Sequence, residues 1–181
     1  MKRIMIIGGN GSGKTTFARQ LSKKLDIPLI FIDKIFWTDN WQRADEDTAN
    51  SILKEEMQRS EWIIDGNHIE SVCDRLKLCD TVFYFDFSPF SCLVGSIVRV
   101  IKDYGIQRDD VGGKNNIEKF DKSKIAFFKS VLQFNSKNRR HLYAMINEYP
   151  DVNLIVFKNR KQVNDYLIND VFHSNTVNSD G

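Results

Sequence analysis

Residues 8–15, Gly8-Gly9-Asn10-Gly11-Ser12-Gly13-Lys14-Thr15, satisfy the pattern GxxxxGK[ST] at every fixed position. Such a run is informative only between a strand and a helix, and both flank it here. Ile4-Met5-Ile6-Ile7 is apolar without alternation, as a strand covered on both faces must be. From Lys14 to Leu25, Phe17, Leu21 and Leu25 recur on one helical face. Glycines let backbone N–H groups turn inward around an anion, and a helix N-terminus adds partial positive charge. Gly8, Gly9, Asn10, Gly11, Ser12, Gly13, Lys14, Thr15 and Thr16 are therefore the expected nucleotide-binding residues. Lys14 is placed to reach β- and γ-phosphates, and Thr15 to ligate Mg²⁺, so ATP and Mg²⁺ are the expected cofactors.

The remaining pattern alternates strands with helices. Strands are expected at Pro28–Ile32, Trp62–Ile64, Thr81–Phe85 and Val152–Phe157. Helices are expected over Asp45–Ser60, with Ile52, Leu53 and Met57 inward, and from Ser88-Pro89, with Phe90, Leu93, Val94, Ile97, Val98 and Ile101 on it. Two more are expected, over Ser123–Asn147 and around Val163, Tyr166 and Leu167. Residues 105–122 interrupt this order with Gly105, Gly112, Gly113, Asn115 and Asn116. The fold class that follows is α/β, a three-layer sandwich with a parallel sheet between helices.

Length and charge narrow the partners. The 181 residues suit one domain, expected over 1–172, with a flexible polar tail over 173–181. A formal net charge of +2 is small for a generally basic nucleic-acid or membrane-surface protein. Cys73, Cys79 and Cys92 have no metal-type spacing, and three thiols suit a reducing cytoplasm. Four apolar residues before the first glycine do not make a signal peptide, and no membrane partner is expected.

In open α/β sheets ligands gather at the carboxyl ends of the strands. Asp33, Asp65 and Asp86 fall there. Asp65, after a hydrophobic strand and before Gly66, suits a metal-holding aspartate; Asp33 suits a group that accepts the proton of an acceptor hydroxyl. A solvated turn acid or a helix N-cap is the alternative for each, and Asp86 reads mainly as a helix-start acid.

Four segments together resemble the FlaR-type "DNA topology modulation protein" family, a branch of adenylate-kinase-like P-loop NTPases. They are Gly8–Thr15, Asp33-Lys34-Ile35-Phe36-Trp37, Trp62-Ile63-Ile64-Asp65-Gly66-Asn67 and Gln107-Arg108-Asp109-Asp110. The resemblance implies a five-stranded parallel sheet of order 2-3-1-4-5 with a short mobile lid between the fourth and fifth strands, about 105–122. It also implies that Arg99 and Arg108 close over the nucleotide and neutralise charge on the transferring group. The arginine that follows the third strand in adenylate kinases is replaced here by Asn67-His68, and Asp33 resembles the acceptor-binding aspartate of shikimate and gluconate kinases. Residues 91–145 carry eleven Lys and Arg against five Asp and Glu, so positive charge is concentrated at the lid.

The expected function is ATP- and Mg²⁺-dependent phosphoryl transfer to a small-molecule acceptor, a P-loop kinase. Lys14, Asp33, Arg99 and Arg108 would be its catalytic residues, with Thr15 and Asp65 on the metal. A nucleotide-dependent switch or ATPase and a DNA-associated regulator of topology stand as alternatives.

Overall fold

The structure is a computed structural model and describes residues 1–173. Five strands form one parallel sheet: β1 (Arg3–Gly8), β2 (Leu29–Phe31), β3 (Trp62–Asp65), β4 (Thr81–Phe85) and β5 (Asn153–Phe157). Their order is β2-β3-β1-β4-β5, as the sequence predicts. Ile4 on central β1 is in register with Ile63 on β3 and Thr81 on β4. Seven helices connect and cover the sheet: α1 (Lys14–Leu25), α2 (Ile32–Phe36), α3 (Glu46–Met57), α4 (Val72–Leu76), α5 (Pro89–Lys102), α6 (Lys122–Asn147) and α7 (Arg160–His173).

Alternate β1 residues supply the two cores. Met5 and Ile7 pack with Phe36 of α2, Leu53 of α3, Leu76 of α4 and Leu142 of α6. Ile4 and Ile6 pack on the other face with Phe17 and Leu21 of α1 and Val163 and Leu167 of α7. Phe17 meets Phe83, Phe85 and Phe157 edge-on, at 4.9, 5.4 and 5.6 Å between ring centroids. Burying each such ring stabilises the fold by about 1.5–3 kcal/mol. This two-sided core fixes where the strands end, and the loops of the site all leave those ends.

Several expected details differ. Strand β2 stops at Phe31, so Ile32 and Asp33 belong to the first turn of α2. Ile52 faces outward, and α3 is anchored by Ala49, Leu53 and Met57 instead. Asp86 is no helix cap: the Ser88 hydroxyl accepts from Ser91 N–H, while buried Asp86 accepts from Lys158 and Tyr143 and forms an ion pair with Arg139. On α5, Phe90 and Ile101 are exposed, Leu93 and Ile97 are half-buried, and Val94 and Val98 border the cleft described below. This helix packs inward through Cys92, Ser96 and Val100, because only small side chains fit its close approach to residues 9–11. The tail expected over 173–181 lies outside the described residues, except that His173 closes α7. Among the described residues no helix is long and apolar enough to cross a membrane.

Candidate functional site

The loop between β1 and α1 is held open by its own chain. Gly8 donates its N–H to Asn67 Oδ1 at 3.0 Å, which ties β1 to the segment after β3. Lys14 is buried, and its ammonium donates to Gly9 O at 3.0 Å. Burial holds its pKa below the ordinary lysine value, with the Asp65 carboxylate opposing that shift. Asn10, Gly11, Gly13, Lys14, Thr15 and Thr16 line the cleft, whereas Gly8, Gly9 and Ser12 lie behind them. Helix α5 presses on this loop so closely that a Cβ at Gly95 would lie 2.0 Å from Gly11 O. A Cβ at Gly11 would in turn lie 2.2 Å from Cys92 O. Arg160, at the start of α7, donates to Gly11 O at 3.3 Å and closes the third side.

Asp65 ends β3 beside the first turn of α1. Thr15 Oγ1 donates to its Oδ2 at 2.7 Å, while Asp65 Oδ1 is buried without a hydrogen-bond partner among the described residues. Burial pushes its pKa up to about 6 against the pull of Lys14. No three His, Cys, Asp or Glu side chains among the described residues gather for a metal. An all-protein cage is not what Mg²⁺ takes; it keeps waters and phosphate oxygens and needs one or two protein ligands. The unsatisfied Asp65 oxygen and the adjacent Thr15 hydroxyl fit that requirement.

Asp33 faces the same cleft from the first turn of α2. Burial raises its carboxyl pKa, partly offset by the Arg108 guanidinium. Phe36, Trp37, Trp41 and His68 also line this end of the cleft, whose volume is about 1100 Å³. Trp37 and Trp41 meet edge-on at 6.1 Å. Arg75 is fully buried and donates to the carbonyls of Gly66, His68 and Ser71, which shapes the segment carrying Asn67 and His68.

Residues 103–121, between α5 and α6, include the segment expected as a lid and are joined to α2 and the loop after it. Gly112 N–H donates to Asp33 O at 3.1 Å, and Asn40 N–H to Lys114 O at 3.0 Å. Buried Asn116 spans the seam: its Nδ2 donates to Thr38 O at 2.9 Å and its Oδ1 accepts from Trp41 N–H at 2.5 Å. Within the lid, buried Glu118 gathers Arg99, Arg108 and Lys124. Arg108 also donates from Nε to Asp110 Oδ1 at 2.9 Å. Asp109 pairs outside the lid with Arg19 of α1 at 2.8 Å.

The structure thus brings Lys14, Thr15, Asp33, Asp65, Arg99 and Arg108 to one cleft. Glu118 and Arg19 line the same cleft, and Asn116 and Arg75 brace the segments around it, without having been singled out in the sequence. Glu118 left one trace, a lone acid between Lys114 and Lys119. Arg75 left none, because carbonyl partners carry no sequence signal. Lys124, which reads as part of a solvated basic face, instead lies over the rings of Trp41 and Phe127 beside Glu118.

No family model matches the sequence, and no curated protein matches it, so the FlaR-type resemblance rests on its motifs alone. Among solved structures, the chain is similar to shikimate kinase from Acinetobacter baumannii in complex with shikimate. The TM-score is 0.56 at 18% identity, over 98% of this chain and 96% of that one. It is also similar to shikimate kinase from Bacteroides thetaiotaomicron, with TM-score 0.51 and 14% identity, over 92% and 94% of the two chains. At this identity the likeness establishes the architecture, and the fold is that of the shikimate-kinase-like P-loop kinases.

Proposed function

We propose that the chain transfers the γ-phosphoryl group of ATP, with Mg²⁺, to a hydroxyl of a small-molecule acceptor. The observation that carries this reading is the opening of one cleft onto both the Lys14 loop and Asp33. Transfer to a hydroxyl needs a group that orients it and takes its proton, and Asp33, lining the same cleft as the phosphate loop, is suited to that role.

In this reading the N–H groups of residues 10–15 and the Lys14 ammonium hold the phosphates. Thr15 and Asp65 would hold Mg²⁺, which supplies charge neutralisation between the phosphates. Asp33 orients the acceptor hydroxyl and accepts its proton; burial makes it a stronger base than an exposed aspartate. Arg99 and Arg108 neutralise charge developing on the transferring group, after exchanging part of their pairing with Glu118 for phosphate oxygens. The guanidinium fork suits those oxygens better than an ammonium would. The lid, seated on the 38–41 loop, excludes water from the reacting groups.

The test is phosphoryl transfer from γ-labelled ATP across an acceptor panel, with Asp33→Asn beside wild type. Transfer is expected in the wild type and should fall at least about a hundredfold in the variant, within the range typical of a lost general base. Unchanged ATP affinity should accompany that loss. Mg-ATP binding with hydrolysis indifferent to every acceptor would show a switch or ATPase instead.

A further inference from the structure

The end of the cleft around Asp33 has an aromatic and neutral-polar wall. His68 stacks on Phe36 with ring centroids 3.8 Å apart and planes inclined by 28°. Its side chain is 4% exposed, yet neither ring nitrogen has a hydrogen-bond partner among the described residues. The Glu70 carboxylate, 3.8 Å from Nε2, is beyond hydrogen-bond reach. Buried polar atoms in native structures are nearly always paired, so the two unpaired nitrogens of a residue bordering the cleft leave hydrogen bonds for a ligand or a water to complete. Burial, opposed by Glu70 and reinforced by Arg75, holds the imidazole below its ordinary pKa. A neutral ring offers one donor and one acceptor.

Several of the arginines nearby are already engaged. Arg19 is paired with Asp109, and Arg108 with Asp110 and Glu118. Arg43 lies over the rings of Trp37 and Phe36 at 5.1 and 5.6 Å, and Arg75 is spent on carbonyls. Asp33 and Asp65 face the cleft. An acceptor bearing a carboxylate or phosphate at this end would meet those acids and could use Arg19 or Arg108 only by breaking an existing pair. Flat aromatic surfaces, by contrast, favour a flat ring.

Resting on the kinase reading above, we propose that the acceptor is an uncharged alcohol bearing a heteroaromatic ring, of the nucleoside class. Its ring lies against Phe36, Trp37 and Trp41, its polar edge pairs with His68, and its primary hydroxyl points to Asp33. The hydroxyl oxygen forms a bond to the γ-phosphorus as the bond to the β,γ-bridging oxygen breaks. Its proton passes to Asp33 and then to water, and the products are a nucleoside monophosphate and ADP.

The experiment pairs Mg-ATP titration with transfer assays on adenosine, guanosine, cytidine, thymidine, shikimate and the nucleoside 5′-monophosphates. At least one nucleoside should be phosphorylated, and shikimate and the monophosphates should not. His68→Phe keeps the stack but removes both nitrogens. It should raise the KM for that nucleoside about five- to tenfold, the loss expected for one neutral hydrogen bond. Its Mg-ATP affinity should be unchanged. Should His68→Phe fail to fold, as judged by its melting transition, His68→Gln decides: it retains a donor and an acceptor and should recover part of the affinity. Mg-ATP binding with transfer to shikimate or a monophosphate but to no nucleoside overturns the proposal and leaves the kinase reading intact. An unchanged nucleoside KM in the His68 variants overturns the role of His68. Failure to bind Mg-ATP at all overturns the kinase reading and the acceptor proposal with it.

Discussion

Substituting Gly95 by alanine pits two opposed effects against each other, and the structure decides the sign. Alanine in a helix interior is favoured over glycine by about 0.8–1.0 kcal/mol, so an α5 free of neighbours would be stabilised by that amount. Here the new Cβ would lie 2.0 Å from Gly11 O, 3.0 Å from Gly11 C and 2.7 Å from an Arg160 guanidinium nitrogen. The arginine can swing away; the loop carbonyl can retreat only if the phosphate-binding loop shifts by more than an ångström. Overpacking of a well-packed site costs about 1–3 kcal/mol, and a backbone obstacle belongs at the upper end. The expected net effect is a loss of about 1–2 kcal/mol, read as a lower urea midpoint with an unchanged m value. Because the displaced atoms belong to the loop, Mg-ATP affinity should fall with stability. A variant that gains about 1 kcal/mol and binds Mg-ATP as wild type does would refute the contact between α5 and the loop.

Two further perturbations probe the other walls of the cleft. The Asp65 pKa, about 6 in the folded chain, lies above its ordinary value of 3.8, so the native state holds the extra proton between those limits. The stability this proton contributes is fully present below pH 3.8 and is lost as pH rises to about 6. The stability difference between wild type and Asp65→Asn should therefore shift against wild type across that window and then level, and a flat difference would contradict the burial of this carboxyl. Asn116→Ala removes the side chain that joins the lid to Thr38 and Trp41 and leaves a buried donor and acceptor unpaired, at about 1–3 kcal/mol of local stability. Amide exchange should accelerate in residues 38–41 and 112–116 while β1 and β3 stay protected; unchanged protection there would mean that the seam is not held by Asn116.

What the sequence disclosed and what it withheld divide along physical lines. The β1 strand and the phosphate-binding loop were legible because each has a local signature, whereas the sheet order came from the resemblance of the motifs to a known family. An uninterrupted apolar run marks a central strand, and a glycine-rich turn before a lysine marks an anion cradle. Asp33 and Asp65 were legible because strand ends are where such sheets place ligands. The orientation of α5 was not legible because periodicity reports that a helix has an apolar face but not which way it is turned. Close backbone packing on Gly11 took the small-residue face inward. Asp86 misled because a carboxylate before Ser-Pro suits a cap, while its partners Lys158, Tyr143 and Arg139 arrive from distant segments. Glu118 and Asn116 share that difficulty: a lone acid and a lone amide in a polar loop acquire meaning only once α6 and the 38–41 loop are brought against them.

The central claim is that the cleft between Lys14, Asp65 and Asp33 takes Mg-ATP, and calorimetric titration of the purified chain tests it most directly. Saturable one-to-one binding that requires Mg²⁺ is expected. Lys14→Ala should weaken it at least about tenfold, the loss of a charge-assisted contact to phosphate, with the melting transition retained. Absence of binding by the folded wild-type chain, or equal affinity in Lys14→Ala, would contradict the account.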